Sequence, residues 1–257
     1  MLGQNNTKET AAERVPSKSP LLSLPAEIRN RIYYYVVVPL GGVVTLRGPE
    51  DAKVDWQCTH PIHTALLRTS RQIYQEASTL LYGGIRFLYD WIEYESFTGG
   101  DYSPSVVPLK LIQNLEVSFF ISYQERTSEG ICRFLKVLVD QQCSFNRLTL
   151  LYDHTSSGVD DLLELGTHAG DELSDLTCAV EVRRELEIVF FLVSSEECED
   201  EMVFTLTKDY IKNVAVGKSW IATESYERRK SSEEVYDPEY TVRYLLHPGE
   251  AALKNTK

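Results

Sequence analysis

Residues 23–87 constrain the fold most, because they hold two helical patterns in a fixed order with a strand pattern behind them. The first opens as Ser-Leu-Pro-Ala-Glu-Ile-Arg-Asn-Arg-Ile-Tyr. Pro25 suits a first helical turn, where an amide has no intrahelical partner to lose. Glu27 then falls where a carboxylate faces the positive end of the helix dipole. Ile28, Ile32, Tyr35 and Val36 recur at helical spacing and predict one apolar stripe, leaving Arg29, Asn30 and Arg31 to solvent. Pro39, Gly41 and Gly42 stop the helix. In the second pattern Leu66, Leu67, Ser70, Ile73, Tyr74, Ala77, Leu80 and Leu81 step by threes and fours, and Gly83 and Gly84 end it. Neither stripe can be buried alone, so the two helices are expected to pack together, with residues 85–89 starting a strand.

These motifs resemble an F-box. Leu24-Pro25-x-Glu27-Ile28-x-x-x-Ile32 looks like its opening, and residues 66–82 look like its later helix. The fuller pattern is Leu-Pro-x-Glu-Ile-Arg-x-x-Ile-Tyr, followed by Leu-Leu-Arg-x-x-Arg-Gln-Ile-Tyr-x-Glu-Ala-x-x-Leu-Leu-Tyr-Gly. It is similar to a large group of fungal F-box-like proteins. The resemblance implies a protein-interaction module in which Leu24, Pro25, Ile28 and Ile32 hold the adaptor of a cullin–RING ubiquitin ligase. It also implies a substrate receptor that brings a target protein to that ligase. The sequence departs from a compact F-box by the long segment 39–62 between the helices. There residues 42–47 and 53–57 predict a hairpin around Gly48-Pro49-Glu50-Asp51.

Charge bears on the partner. Residues 1–115 carry 11 Lys and Arg against 11 Asp and Glu, so the net charge of −12 arises in residues 116–257, with 15 against 27. That balance argues against nucleic-acid backbone and anionic membrane as partners. Five cysteines without a repeated tight spacing, behind a polar start with no apolar leader, predict reduced thiols in the cytoplasm or nucleus. No apolar run approaches a bilayer span.

Beyond the two helices the pattern turns to strands alternating with helices. Leu115, Val117 and Phe119 alternate with polar residues as in a half-buried strand. Ile131, Phe134, Leu135, Leu138 and Val139 fit an amphipathic helix. Residues 147–152 read as a strand, 159–165 and 173–182 as short helices, and 187–193 as a central strand covered on both faces. Residues 202–220 allow one more strand and helix. Strand–helix units of this kind suit right-handed crossovers onto a largely parallel sheet, in an arrangement like a degenerate leucine-rich repeat. The expected division is a disordered tail (1–19), an F-box-like element (20–90), an irregular α/β body (91–223) and a mobile tail (224–257).

Several clusters bear on chemistry. Cys58, His60 and His63 have ligand spacing for zinc, but no fourth ligand accompanies them. Asp153, His154, Asp160 and Asp161 could serve a hydrolase at a strand end, yet Thr155, Ser156, Ser157 and Gly158 make a solvated turn. Glu196, Glu197, Glu199, Asp200 and Glu201 read as a solvated acidic loop. Arg228-Arg229-Lys230 is too short for a nucleic-acid patch, and Ser231-Ser232-Glu233-Glu234 resembles an acidic-directed kinase site. No phosphate loop, His-Glu-x-x-His, Gly-x-Ser-x-Gly or paired Cys-x-x-Cys is present. The sequence therefore predicts an interaction protein that is not an enzyme, with no cofactor and no metal. The rivals are a scaffold with buried F-box-like helices and, behind it, a hydrolase using the Asp153–Asp161 edge.

Overall fold

The computed structural model describes residues 19–39, 42–47, 64–91, 109–120, 127–154, 168–193, 197–228 and 239–249. They form five α-helices and seven strands. In chain order these are α1 (Ala26–Val37), β1 (Val43–Arg47), α2 (Arg71–Gly84), β2 (Arg86–Trp91), β3 (Asn114–Phe120), α3 (Thr127–Asp140) and β4 (Ser144–His154). They continue as α4 (His168–Ala179), β5 (Glu181–Val193), α5 (Glu197–Lys218), β6 (Trp220–Arg228) and β7 (Glu239–Pro248). All seven strands join one sheet in the order β1-β2-β3-β4-β5-β7-β6. Strands β1 to β5 are parallel neighbours, while β7 runs antiparallel between β5 and β6.

Strand order explains where the core sits. From β1 to β5 each new strand is added on the same side, and a right-handed crossover then places each connecting helix on the same face. The registers align side chains on that face into transverse rows. Val44, Phe87, Leu115, Leu148, Leu186 and Leu246 make one row, and Tyr89, Val117, Leu150, Ile188 and Tyr244 the next. Phe119, Tyr152, Phe190 and Val242 make a third. Every member of these rows is buried. Helices close over them with rings: Phe134 of α3 lies 5.3 Å from Tyr89 and 6.1 Å from Phe119. Tyr210 of α5 meets Tyr152 and Phe190 edge-on, and its hydroxyl is paired with those of Tyr152 and Thr177. Such pairing is what lets a tyrosine enter an apolar layer.

The opposite face carries charge. Glu187 of β5 meets Arg147 of β4 at 2.8 Å and Arg243 of β7 at 3.1 Å, and Thr149 adds a hydrogen bond. Arg147 also reaches Glu185, and Arg86 pairs with Glu116. Residues of β5 are thus buried on both sides, as the apolar run predicts, but one side is closed at Glu187 by ion pairs. At the entry to the sheet, Asn146 donates to the Gln113 side-chain oxygen at 2.6 Å, and Asn114 donates to the carbonyl of Gly83 at 2.9 Å. The Asn114 side chain, with the backbone amide of Gln113 on the Tyr82 carbonyl at 2.9 Å, satisfies carbonyls that the end of α2 leaves open.

Several expectations change. Strand β1 forms within 42–47 and pairs parallel with β2; residues 53–57, the other arm of the expected hairpin, lie outside the described residues. Residues 197–218 make one long helix where a solvated acidic loop, then one more strand and helix, were expected. Residues 224–228 and 239–248, expected in a mobile tail, belong to β6 and β7. Val242, Tyr244 and Leu246 are buried because their alternation puts them all on the helix-covered face. The leucine-rich-repeat reading finds no support, since β2 to β5 have 6, 7, 11 and 13 residues and are not copies of one unit. What stands is a mixed α/β fold on a mostly parallel sheet. The expected helix at 159–165 lies outside the described residues.

Candidate functional site

The N-terminal corner is built by three local devices. Residues Pro20–Ser23 form a 3-10 turn, and Leu24 leaves it in extended conformation. Pro25 is the residue before the helix, one position earlier than the sequence suggests, and its carbonyl accepts the amides of Ile28 and Arg29 at 3.1 Å each. Helix α2 is capped by Ser70, whose hydroxyl accepts the Ile73 amide at 3.1 Å. Ser70, placed on the apolar stripe by its spacing, is therefore a cap.

The face of α1 that enters the core is not the expected one. Arg29, Tyr33 and Val37 are buried, with Arg29 only 9% exposed. Ile28 is 43% exposed and Tyr35 77% exposed, Pro25 is exposed, and Leu24 and Ile32 are half-buried. The reason is the Arg29 guanidinium. It donates from Nε and Nη2 to the two oxygens of Glu76 on α2, at 2.9 and 2.6 Å, and from Nη1 to the Leu24 carbonyl at 2.6 Å. Gln72 adds a donor to Glu76 at 3.0 Å. A fork held bidentate by a carboxylate can enter a packed layer that a lone cation would avoid.

This pairing sets the local titration. Hydrogen bonds from Arg29, then from Gln72, lower the Glu76 pKa from 4.5 to about 2. The Arg29 pKa is raised, first by its hydrogen bond to Glu76. Burial first, then the neighbouring Glu76 carboxylate, raises that of Tyr33. The buried Tyr33 hydroxyl sits beside the ion pair and, among the described residues, no partner meets it in full hydrogen-bond geometry.

What remains outside is an apolar stripe. By helical spacing Ile28, Ile32 and Tyr35 share one side of α1, away from the side that holds Arg29, Tyr33 and Val37, and Leu24 precedes the helix in extended conformation. Tyr34, 52% exposed, contacts Tyr35 edge-on at 6.1 Å. The sequence-predicted residues Leu24, Pro25, Ile28 and Ile32 are thus brought together at one corner, two exposed and two half-buried. Sequence reasoning missed Arg29, Glu76 and Tyr33, although the quoted motifs contain all three.

The other clusters gain little. Cys58, His60, His63, Asp160, Asp161 and residues 229–234 lie outside the described residues, while Asp153 and His154 end β4. Among the described residues no group of His, Cys, Asp or Glu has the arrangement to hold a metal. Burial raises the pKa of Cys143 and of Cys178, which disfavours a thiolate nucleophile at either. Strands β1 to β5 advance in one direction, so this stretch lacks the reversal of order at which open α/β sheets gather ligands. An open groove of about 450 Å³ runs between α5 and β6, past Ile211, Val216 and Trp220. No described helix is long and apolar enough to cross a membrane.

No protein-family model and no curated protein matches the chain. Among solved structures it is similar to one described as "Structure of an Antibiotic Related Methyltransferase", at 11% identity, over 87% of this chain and 94% of that one, with a TM-score of 0.32. The expectation that the chain is not an enzyme is corrected on this match, since the neighbour is named as one, and that exclusion is withdrawn. A likeness of this degree assigns neither a reaction nor a cofactor to the chain.

Proposed function

We propose that this chain is a protein-interaction module whose first helix docks the adaptor of a cullin–RING ubiquitin ligase, as its resemblance to F-box proteins implies. In this reading it is a substrate receptor, and loops at the strand ends read a target protein. One observation supports it above the rest. The apolar corner of Leu24, Pro25, Ile28, Ile32 and Tyr35 is left exposed or half-exposed while the neighbouring Arg29 is buried. Contiguous exposed apolar surface is the usual mark of a partner site.

A second reading is a scaffold without a ligase role. It is favoured by Arg29, Tyr33, Glu76 and Ala77, motif residues that serve the contact between α1 and α2 or the core. Co-purification of the full chain with the ubiquitin-ligase adaptor separates the two. The expected result is a complex with the wild type that is lost in Leu24→Asp/Ile28→Asp while the far-UV and thermal profiles are kept. A wild type that captures no adaptor would reject the receptor reading in favour of the scaffold.

A further inference from the structure

We propose that Arg29 is a positioning residue for the docking corner, setting the direction of Leu24 and Pro25 through the Leu24 carbonyl. The inference rests on the docking role proposed above and adds how that site is held in shape. The Leu24 carbonyl lies outside the helix, because the first intrahelical acceptor is Pro25. Among the described residues its partner is Nη1 of Arg29, at 2.6 Å. Nε and Nη2 of the same planar group are held by Glu76, 47 residues away on α2. One guanidinium therefore joins three things: the turn before α1, α1 itself and α2. The fork geometry matters, since a lysine ammonium cannot match a carboxylate bidentately and hold a third acceptor in the same plane. An apolar corner fixed in this way meets a partner without being ordered first, which lowers the cost of association.

A purely structural ion pair would make a different prediction from a positioning one. Exchanging the two residues, Arg29→Glu/Glu76→Arg, restores an ion pair between α1 and α2 but leaves the Leu24 carbonyl without its donor. Arg29→Lys keeps the charge and loses the fork. The test measures three quantities on the full chain: the urea midpoint, amide hydrogen exchange over residues 21–29, and affinity for the purified adaptor. In the exchange variant the midpoint should return towards wild type, while exchange over 21–29 stays about tenfold faster and adaptor affinity about tenfold weaker. Arg29→Lys should show the same faster exchange, and it decides the matter if the exchange variant does not fold. Wild-type exchange rates over 21–29 in either folded variant would overturn the proposal. Absence of adaptor binding by the wild type would sink the docking role instead, and the exchange rates would still report whether Arg29 sets the corner.

Discussion

Gly217 of α5 faces Cys178 of α4 so closely that a β-carbon at Gly217 would stand 2.5 Å from the cysteine sulfur. The close approach of the two helices is thus written into a missing side chain. Lys218, the next residue, uses the same proximity, donating to the carbonyls of Cys178 and Val180 at 3.0 and 2.8 Å across the end of α4.

Gly217→Ala should destabilise the protein even though alanine is the better helix former. Overpacking costs about 1–3 kcal/mol, against a propensity gain of about 1 kcal/mol. The control is Gly217→Ala in a Cys178→Ala background, where the space is free and the substitution should turn neutral or stabilising. Urea midpoints of the four chains measure the sign change; an equal effect in both backgrounds would refute the steric account.

The Arg29–Glu76 pair predicts a specific acid response. The folded pKa of Glu76, about 2, lies below its ordinary value of 4.5. A lowered carboxylate pKa means that the stabilisation is fully present above about pH 4.5 and is lost as pH falls towards 2. Glu76→Gln should therefore be less stable than wild type at neutral pH, and the gap should narrow between these two values. Denaturant midpoints of both chains across that range test it, and a gap independent of pH would disprove the assignment.

Phe134 stacks on Tyr89 and meets Phe119 edge-on beneath α3. With 1% of its surface exposed, Phe134→Ala should cost about 3–5 kcal/mol. The same change at exposed Tyr35 should stay within about 0.5 kcal/mol. Thermal melts of both variants check the contrast, which also asks whether the α1 stripe is free of folding duty.

Legibility in the sequence followed the strength of periodic burial. Helix α3 was readable because Ile131, Phe134, Leu135 and Leu138 all enter the core at helical spacing. Strand β3 was readable because Leu115, Val117 and Phe119 alternate with half-exposed partners. Strand β6 was not, since its residues 221–227 are exposed on both faces and so carry no alternation. The face of α1 was misread for another reason. Pattern reasoning counts arginine as wet, but Arg29 is held by a carboxylate distant in sequence, and pairing of that kind leaves no periodic trace. The Arg and Glu sat in the two quoted motifs; their ion pair is what a sequence pattern could have suggested and periodicity could not.

The place of β7 has a consequence for how the sheet is completed during synthesis. Strand β6 leaves the ribosome before β7, yet within the described sheet its sole strand neighbour is β7. Until residues 239–248 emerge, β6 lacks the neighbour it has in the described sheet and β5 keeps one raw border. Strand β7 is thus a keystone, and stopping the chain at Arg228 would strip two strands from the described sheet by deleting one.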